Sequence, residues 1–374
     1  MTQAVVCGGG AAGLASAACL KRAGFEPVVL ESSDGVGASW RDRYEGLRLN
    51  TLGWMSTLPG YRATRRRYGE YPTREEWIRY LEDYRRHHEL DVRFGVEVDR
   101  VDADNGGWSV STSDGDHRAP VAVVATGQDR EPYTPDWPGR DEFPGELTHA
   151  SRFRTAEPFR DQEVLVVGPG NTGSELAAFL VAGGARRVVA SMRTPPNIFP
   201  RKWLGIPLNV SAVPMEMMPS RMADAMGRAS QRMIYGDLSK YGLPLPKMGV
   251  KSSVEEKFVA PAIDAGFVDA VKQGRIELVT TIDRFEGPEV VLSDDTRLRP
   301  DSVLCATGYR RGLEPLVGHL GVLDEHGLPK SRPAVEVAEA PNLLFVGYTP
   351  KFAGSLRQIR FDARRAARAA RRRR

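Results

Sequence analysis

Cysteine is scarce in this chain of 374 residues: Cys7, Cys19 and Cys305, with no C-x-x-C pair among them. That spacing excludes a local redox dithiol and a disulfide-stapled scaffold. Six histidines and three cysteines fall at no metal-ligand spacing, so no metal site is expected. Cys7 and Cys305 lie in apolar runs and read as buried core thiols. No apolar run reaches the roughly 18 residues a bilayer crossing needs, so no membrane span is expected. No cationic stretch leading into an apolar one precedes the first motif at Gly8, so no removable leader is expected and the reading is cytoplasmic. Excess charge is also missing from the body. The formal charge is +4, yet residues 364–374 hold seven arginines and no acid, which leaves residues 1–363 at −3. A body of that charge offers no basic face for nucleic acid, so none is expected as a partner. The arginine tail reads as a solvated, frayed helix end.

Glycine is plentiful, with 38 residues set in short clusters. Val5-Val6-Cys7-Gly8-Gly9-Gly10-Ala11-Ala12-Gly13 joins an apolar run to G-x-G-x-x-G, and a run of small and apolar residues then extends to Gly24. This spacing predicts strand, phosphate-binding turn and helix, with Gly8, Gly10 and Gly13 letting a pyrophosphate approach the helix N-terminus. The next strand, Phe25 to Leu30, ends in Glu31, an acid placed to accept hydrogen bonds from a ribose.

The pattern repeats at Val164-Leu165-Val166-Val167-Gly168-Pro169-Gly170-Asn171-Thr172-Gly173. Its helix is expected over Ser174 to Val181 and its next strand over Arg187 to Ala190. Here the ending is Ser191-Met192-Arg193, which places a guanidinium where the first motif has an acid. An acid repels a ribose 2′-phosphate and arginine pairs with it. The first site therefore reads as FAD and the second, from Gly168, Gly170, Asn171, Thr172 and Gly173 to Arg193, as NADPH.

Two further buried-type strands break at the same tripeptide: Val121 to Ala125-Thr126-Gly127, and Ser302 to Ala306-Thr307-Gly308. Such breaks suit a chain passing close to a cofactor or crossing between domains. A last strand, Leu343 to Val346, meets Gly347. The order predicts an α/β protein of two nested Rossmann-like folds: residues 1–150 as the first part of an FAD domain, 151–305 as an inserted NADPH domain, and 306–374 as the second FAD part with the basic tail. Residues 195–250 interrupt the inner fold with many prolines and seven of the ten methionines. Met222, Met226, Ala229 and Met233 share one helical face, with Ser220 as a cap, and that face is expected to pack on the neighbouring sheet. Thr73-Arg74-Glu75-Glu76 reads as a capping box opening a scaffold helix with Trp77, Leu81, Tyr84 and His88 on one side.

Phe143-Pro144-Gly145-Glu146-Leu147-Thr148-His149-Ala150-Ser151-Arg152-Phe153 matches F-x-G-x-x-x-H-x-x-x-[FY]. On that motif, with Gly37-Ala38-Ser39-Trp40, Tyr71-Pro72-Thr73-Arg74, Tyr241-Gly242-Leu243-Pro244 and Ala306-Thr307-Gly308-Tyr309, the chain resembles the flavin-containing monooxygenases along nearly its whole length. It looks closest to the YUCCA-type branch and its bacterial relatives. The resemblance implies NADPH reduction of FAD, addition of O2 to form a C4a-hydroperoxyflavin, and oxygenation of a small molecule. The outcomes it implies are N- or S-oxygenation, or oxidative decarboxylation of a 2-oxo acid. It also implies an active-site role for Asn50, a place near the nicotinamide for Gln128, cofactor contacts for Trp40 and Arg201, a hinge role for His149, and residues 348–356 lying along the flavin ahead of a helix starting near Ser355. A homodimer is the assembly expected of such relatives. Competing readings are a ferredoxin-reductase-type NADPH reductase, a Baeyer–Villiger monooxygenase, whose signature usually ends differently from Phe153-Arg154, and a flavin-binding scaffold that recruits partners through its arginine tail.

Overall fold

The computed structural model describes residues 2–331, 335–349, 351 and 353–372. Two open sheets organise the chain. From one edge to the other, the first contains Glu336–Val337, Ala340–Phe345, Val121–Val124, Thr2–Cys7, Phe25–Glu31 and Asp91–Phe94. Only its Glu336–Val337 edge pairs antiparallel. The second contains Ile276–Val279, Arg187–Ser191, Glu163–Val167, Ser302–Cys305 and Glu146–His149, all parallel. The strands are short β-branched runs such as Val121-Ala122-Val123-Val124 and Val164-Leu165-Val166-Val167, buried along their length. Continuous apolarity of this kind fits parallel strands covered on both faces.

The second sheet lies wholly between strands of the first in sequence, so the nesting read from the motif order is the observed topology. Glu146–His149 pairs with Ser302–Cys305, so the inner sheet takes in residues ahead of 150, where the sequence reading drew its boundary. In both sheets the glycine-loop strand is central. Thr2–Cys7 runs between Val121–Val124 and Phe25–Glu31, and Glu163–Val167 between Ser302–Cys305 and Arg187–Ser191. Each glycine loop therefore emerges beside the carboxyl ends of its two neighbours, the position that open α/β sheets use for ligands.

The expected capping box is present. Thr73 Oγ1 accepts from Glu76 N at 3.1 Å, and Glu76 Oε2 accepts from Thr73 N at 2.8 Å. The helix Arg74–His87 buries Trp77, Tyr80, Leu81 and Tyr84, and the hydroxyls of Tyr80 and Tyr84 donate to the carbonyls of Tyr61 and Pro59. It is scaffold.

Three expectations fail. The tail is not frayed over 364–372: the helix Ser355–Arg372 starts where predicted and continues to its end, burying Ala363, Ala366, Ala367 and Ala370 against the small residues of the helix Ala11–Arg22. An alanine stripe at i, i+3, i+4, i+7 holds it down between its arginines. Arg373 and Arg374 lie outside the described residues. In the insert, Met222, Met226 and Met233 are 56%, 44% and 69% exposed. The helix Ser220–Tyr235 instead buries Ala223, Asp224, Gly227 and Gln231. Gly227 permits close approach, since a Cβ there would stand 2.7 Å from Val250 Cγ1. Asp224 accepts from the backbone N–H groups of Lys251 and Ser252 at the start of the helix Val250–Lys257. Nor does Ser220 cap its helix; its hydroxyl donates to Glu255.

Candidate active site

The two glycine loops are built alike. Gly8 and Gly168 have φ of +108° and +88°, a region that disfavours any Cβ. A Cβ on Gly13 would fall 1.7 Å from the carbonyl oxygen of Gly8, and one on Gly173 would fall 2.1 Å from that of Gly168. First and third glycines thus serve the packing of helix on loop. The middle glycines differ. Gly10 and Gly170 have ordinary extended backbones, φ −78° and −74°, and a Cβ on either meets no atom within 4 Å. Nothing in the protein itself forbids a side chain there. Both following helices, Ala11–Arg22 and Asn171–Ala182, also lack a side-chain cap. Open space before an uncapped helix N-terminus is what a pyrophosphate requires: it takes the place of the cap on the free N–H groups. Both loops fit a dinucleotide.

The loop endings diverge as the sequence indicates. Glu31 is buried, and its Oε2 accepts from Gly9 N at 2.6 Å while Oε1 accepts from the N–H and hydroxyl of Ser33. The carboxylate is thereby pinned across the first loop. Arg193 stands exposed just past Ser191, and among the described residues it has neither hydrogen bond nor ion pair.

The Ala-Thr-Gly breaks press against the loops. A Cβ on Gly8 would meet the Ala125 carbonyl oxygen at 2.7 Å, and one on Gly168 that of Ala306 at 2.9 Å. Thr126 shares a hydrogen bond with the Tyr348 hydroxyl at 2.9 Å, and Thr307 donates to the Tyr133 carbonyl. Gly127 and Gly308 turn with φ of +88° and +83°. The Gln128 amide donates to the Gly347 carbonyl at 2.6 Å. It ties the first break to the last strand, so the amide that the resemblance directs toward the nicotinamide is engaged with backbone. Gly347 packs its Cα face on Ala12. His149 Nδ1 accepts from Ser151 N at 3.0 Å, which leaves the proton on Nε2 to donate to the Gly308 carbonyl at 3.0 Å. Burial lowers the pKa of this imidazole. Of residues 348–356, Pro350 and Phe352 lie outside the described residues.

Between the two folds Asn50 Nδ2 donates to Asn171 Oδ1 at 3.2 Å, and Arg201 Nη2 donates to Asn50 Oδ1 at 3.3 Å. Asn171 is also engaged with the Pro261 carbonyl and Ile263 N–H, so its side chain faces the inner fold. Thr172 is half-buried in the first helical turn. Arg201 lies over the Tyr71 ring, and its buried Nε has no hydrogen-bond partner among the described residues. Trp40 sets an edge against Trp77 at 6.1 Å. Sequence reasoning missed Glu175, a buried carboxyl that accepts from the Tyr44 hydroxyl at 2.8 Å and whose pKa burial raises. Its signal was available: one acid directly ahead of the apolar run Leu176 to Leu180. A cavity of about 570 Å³ is lined from the outer fold by Leu52 and Trp54, which follow Asn50 in the chain, and from the insert by Pro207 and Val210. The three cysteines take no part: all are buried, with Cys7 and Cys305 pushed up to about 12 by desolvation.

Two nested phosphate-binding folds, with networks and a cavity between them, define a flavoprotein of the two-dinucleotide class. A family model for pyridine nucleotide-disulphide oxidoreductases matches residues 5–201. A probable indole-3-pyruvate monooxygenase, YUCCA9 of Arabidopsis thaliana, is 34% identical over 338 residues, covering 87% of this chain and 79% of that protein. Indole-3-pyruvate monooxygenase YUCCA1 of Oryza sativa subsp. japonica is 32% identical over 312 residues, covering 82% and 76%. In three dimensions the chain matches a flavin-containing monooxygenase from Stenotrophomonas maltophilia with TM-score 0.73 and 24% identity, covering 99% of this chain and 98% of that one. The chain belongs to the flavin monooxygenase family, with YUCCA-type relatives. It is an NADPH- and O2-dependent monooxygenase that uses FAD. No helix among the described residues is long and apolar enough to cross a membrane.

Proposed function

We propose that the protein oxidatively decarboxylates a small 2-oxo acid, the kind of substrate for which its curated relatives are named. In that reaction the 2-oxo acid, O2, NADPH and a proton give the acid shortened by one carbon, CO2, water and NADP+. One oxygen atom of O2 enters the new carboxylate, the other leaves as water, and the bond between C1 and C2 breaks. The observation that carries the reading is the cavity lined by Leu52 and Trp54, large enough for a small aromatic acid and built by both folds.

The residues divide the work. The N–H groups behind Gly10 and Gly170 hold the two pyrophosphates, Glu31 takes the ribose of FAD, and Arg193 pairs with the 2′-phosphate of NADPH. Held there, FAD would supply two-electron transfer between NADPH and O2. Trp40, Thr126, Gly127 and Gly347 frame the FAD side, and Asn171, Thr172, Gly173, Thr307 and Gly308 the NADPH side. The unpartnered Nε of Arg201 is free to meet an NADPH phosphate. Asn50, oriented by Asn171 and Arg201 and two residues ahead of the cavity-lining Leu52, hydrogen-bonds the reacting oxygen in this reading. Gln128 holds the backbone on which the flavin rests. A cytoplasmic location and a homodimeric assembly belong to the same proposal; fractionation and sedimentation test them.

The test is a panel of 2-oxo acids, amines and thioethers supplied to FAD-loaded protein with NADPH and O2. CO2 and the shortened acid should appear from the 2-oxo acids. Oxygenated amine or sulfide, with only hydrogen peroxide from every 2-oxo acid, would overturn the substrate reading.

A further inference from the structure

The cavity lined by Leu52 and Trp54 is cationic beyond what its acid can match. Along with apolar Leu52, Trp54, Pro207 and Val210 it is lined by the side chains of Arg62, Arg65 and Arg360 and by one acid, Glu70. That acid is taken: Lys202 approaches it at 2.7 Å and Arg65 at 3.4 Å. Among the described residues Arg62 and Arg360 have neither an acidic partner nor a hydrogen bond. Arg62 is exposed. Arg360 is half-buried in the second turn of the helix Ser355–Arg372, with the Phe361 ring 5.1 Å from its guanidinium carbon. Burial and the neighbouring charges of Arg357 and Arg364 hold its pKa below the usual arginine range. A half-buried guanidinium without a counter-ion is unfavourable unless an anion comes and goes. It faces a space with apolar walls, of which Leu52 and Trp54 closely follow Asn50 in the chain.

We propose that Arg360, assisted by Arg62, grips the carboxylate of the substrate and so determines preference for anionic over neutral substrates. The proposal rests on the reading of the cavity as the substrate site. A guanidinium offers a carboxylate two parallel N–H donors, which makes it selective for shape as well as charge. The apolar lining takes the rest of the molecule. The two arginines stand far apart in sequence and meet only at this cavity.

The test uses two probes of one shape and different charge, phenylacetate and its neutral amide phenylacetamide, titrated calorimetrically into FAD-loaded protein with NADP+ present. The acid should bind at least about 10-fold tighter than the amide, and Arg360→Gln should weaken the acid by roughly 10- to 100-fold while leaving the amide unchanged. Arg360→Lys should keep part of the preference. Arg62→Gln, at an exposed position where folding is not at stake, should lower it by a smaller factor. Equal binding of acid and amide by the native protein would overturn the proposal, as would a preference that survives both glutamine variants. Bleaching of the bound flavin by NADPH is read in the same samples. Normal bleaching without acid preference defeats the arginine grip alone; acid preference without bleaching defeats the oxygenase reading alone.

Discussion

Gly170→Ala should separate binding from folding. Its backbone is extended, and the added methyl group meets no protein atom within 4 Å. By itself the change should stabilise the fold by about 0.4–1 kcal/mol, because alanine loses less chain freedom than glycine. The methyl group nevertheless occupies the approach to the uncapped N-terminus of Asn171–Ala182. Displacing the pyrophosphate breaks at least one charge-assisted hydrogen bond, about 1.5–3 kcal/mol, which is roughly 10- to 100-fold in NADPH affinity. Gly173→Ala is the control, since its Cβ would stand 2.1 Å from the Gly168 carbonyl oxygen and the loop must open to admit it. The assay pairs thermal unfolding with the KM for NADPH and the flavin content. Gly170→Ala should keep FAD, slightly raise the melting temperature and raise KM; Gly173→Ala should lower the melting temperature. An unchanged KM in Gly170→Ala, or loss of its FAD, would refute the reasoning.

Arg193→Glu should shift the ratio of kcat/KM for NADPH over NADH toward NADH by 10-fold or more, since the exposed guanidinium has no structural partner to lose; an unmoved ratio removes its role. His149 has a lowered pKa, so the unfolded chain takes up its proton first as pH falls. Its contribution to stability is therefore present above the unfolded value of about 6.5 and is lost below it, and the melting temperature of His149→Gln should depend less on pH there. Glu175 has the opposite sign: its pKa is raised, so the stability it contributes is present in acid and lost as pH rises through the folded value. Glu175→Gln keeps an acceptor for Tyr44 and should melt higher than the native protein at pH 7, as differential scanning fluorimetry would show. Met226→Gln, on an exposed face, should change stability by no more than about 0.5 kcal/mol in urea unfolding, whereas Gly227→Ala should cost more by crowding Val250.

The legible parts of this protein are those written in contiguous residues. Both glycine loops, the strands that feed them, the acid Glu31 that closes on the first loop and the capping box at Thr73 follow from spacing of a few residues, while the helix start near Ser355 follows from the family resemblance. Errors arose where two patterns competed on one helix. In Ser220–Tyr235 a methionine stripe and a stripe of Ala223, Asp224, Gly227 and Gln231 both repeat at helical spacing. The small, polar one is buried, because Gly227 allows contact and Asp224 caps the next helix. Burial potential alone favours methionine and points the wrong way. In the tail the count of arginines obscured an alanine stripe that was present in the sequence all along. Encounters between distant residues left no local trace. Asn50 meets Asn171 and Arg201, Tyr44 meets Glu175, and Arg62 shares a cavity with Arg360, only once both sheets are formed.

The most direct measurement is an anaerobic titration of the FAD-loaded protein with NADPH. One equivalent should bleach the flavin fully in native protein, and Gly170→Ala should need far higher NADPH to do so. Flavin that stays oxidised with saturating NADPH, or a polypeptide that retains no FAD, would contradict the passage of electrons from the inner fold to the outer one.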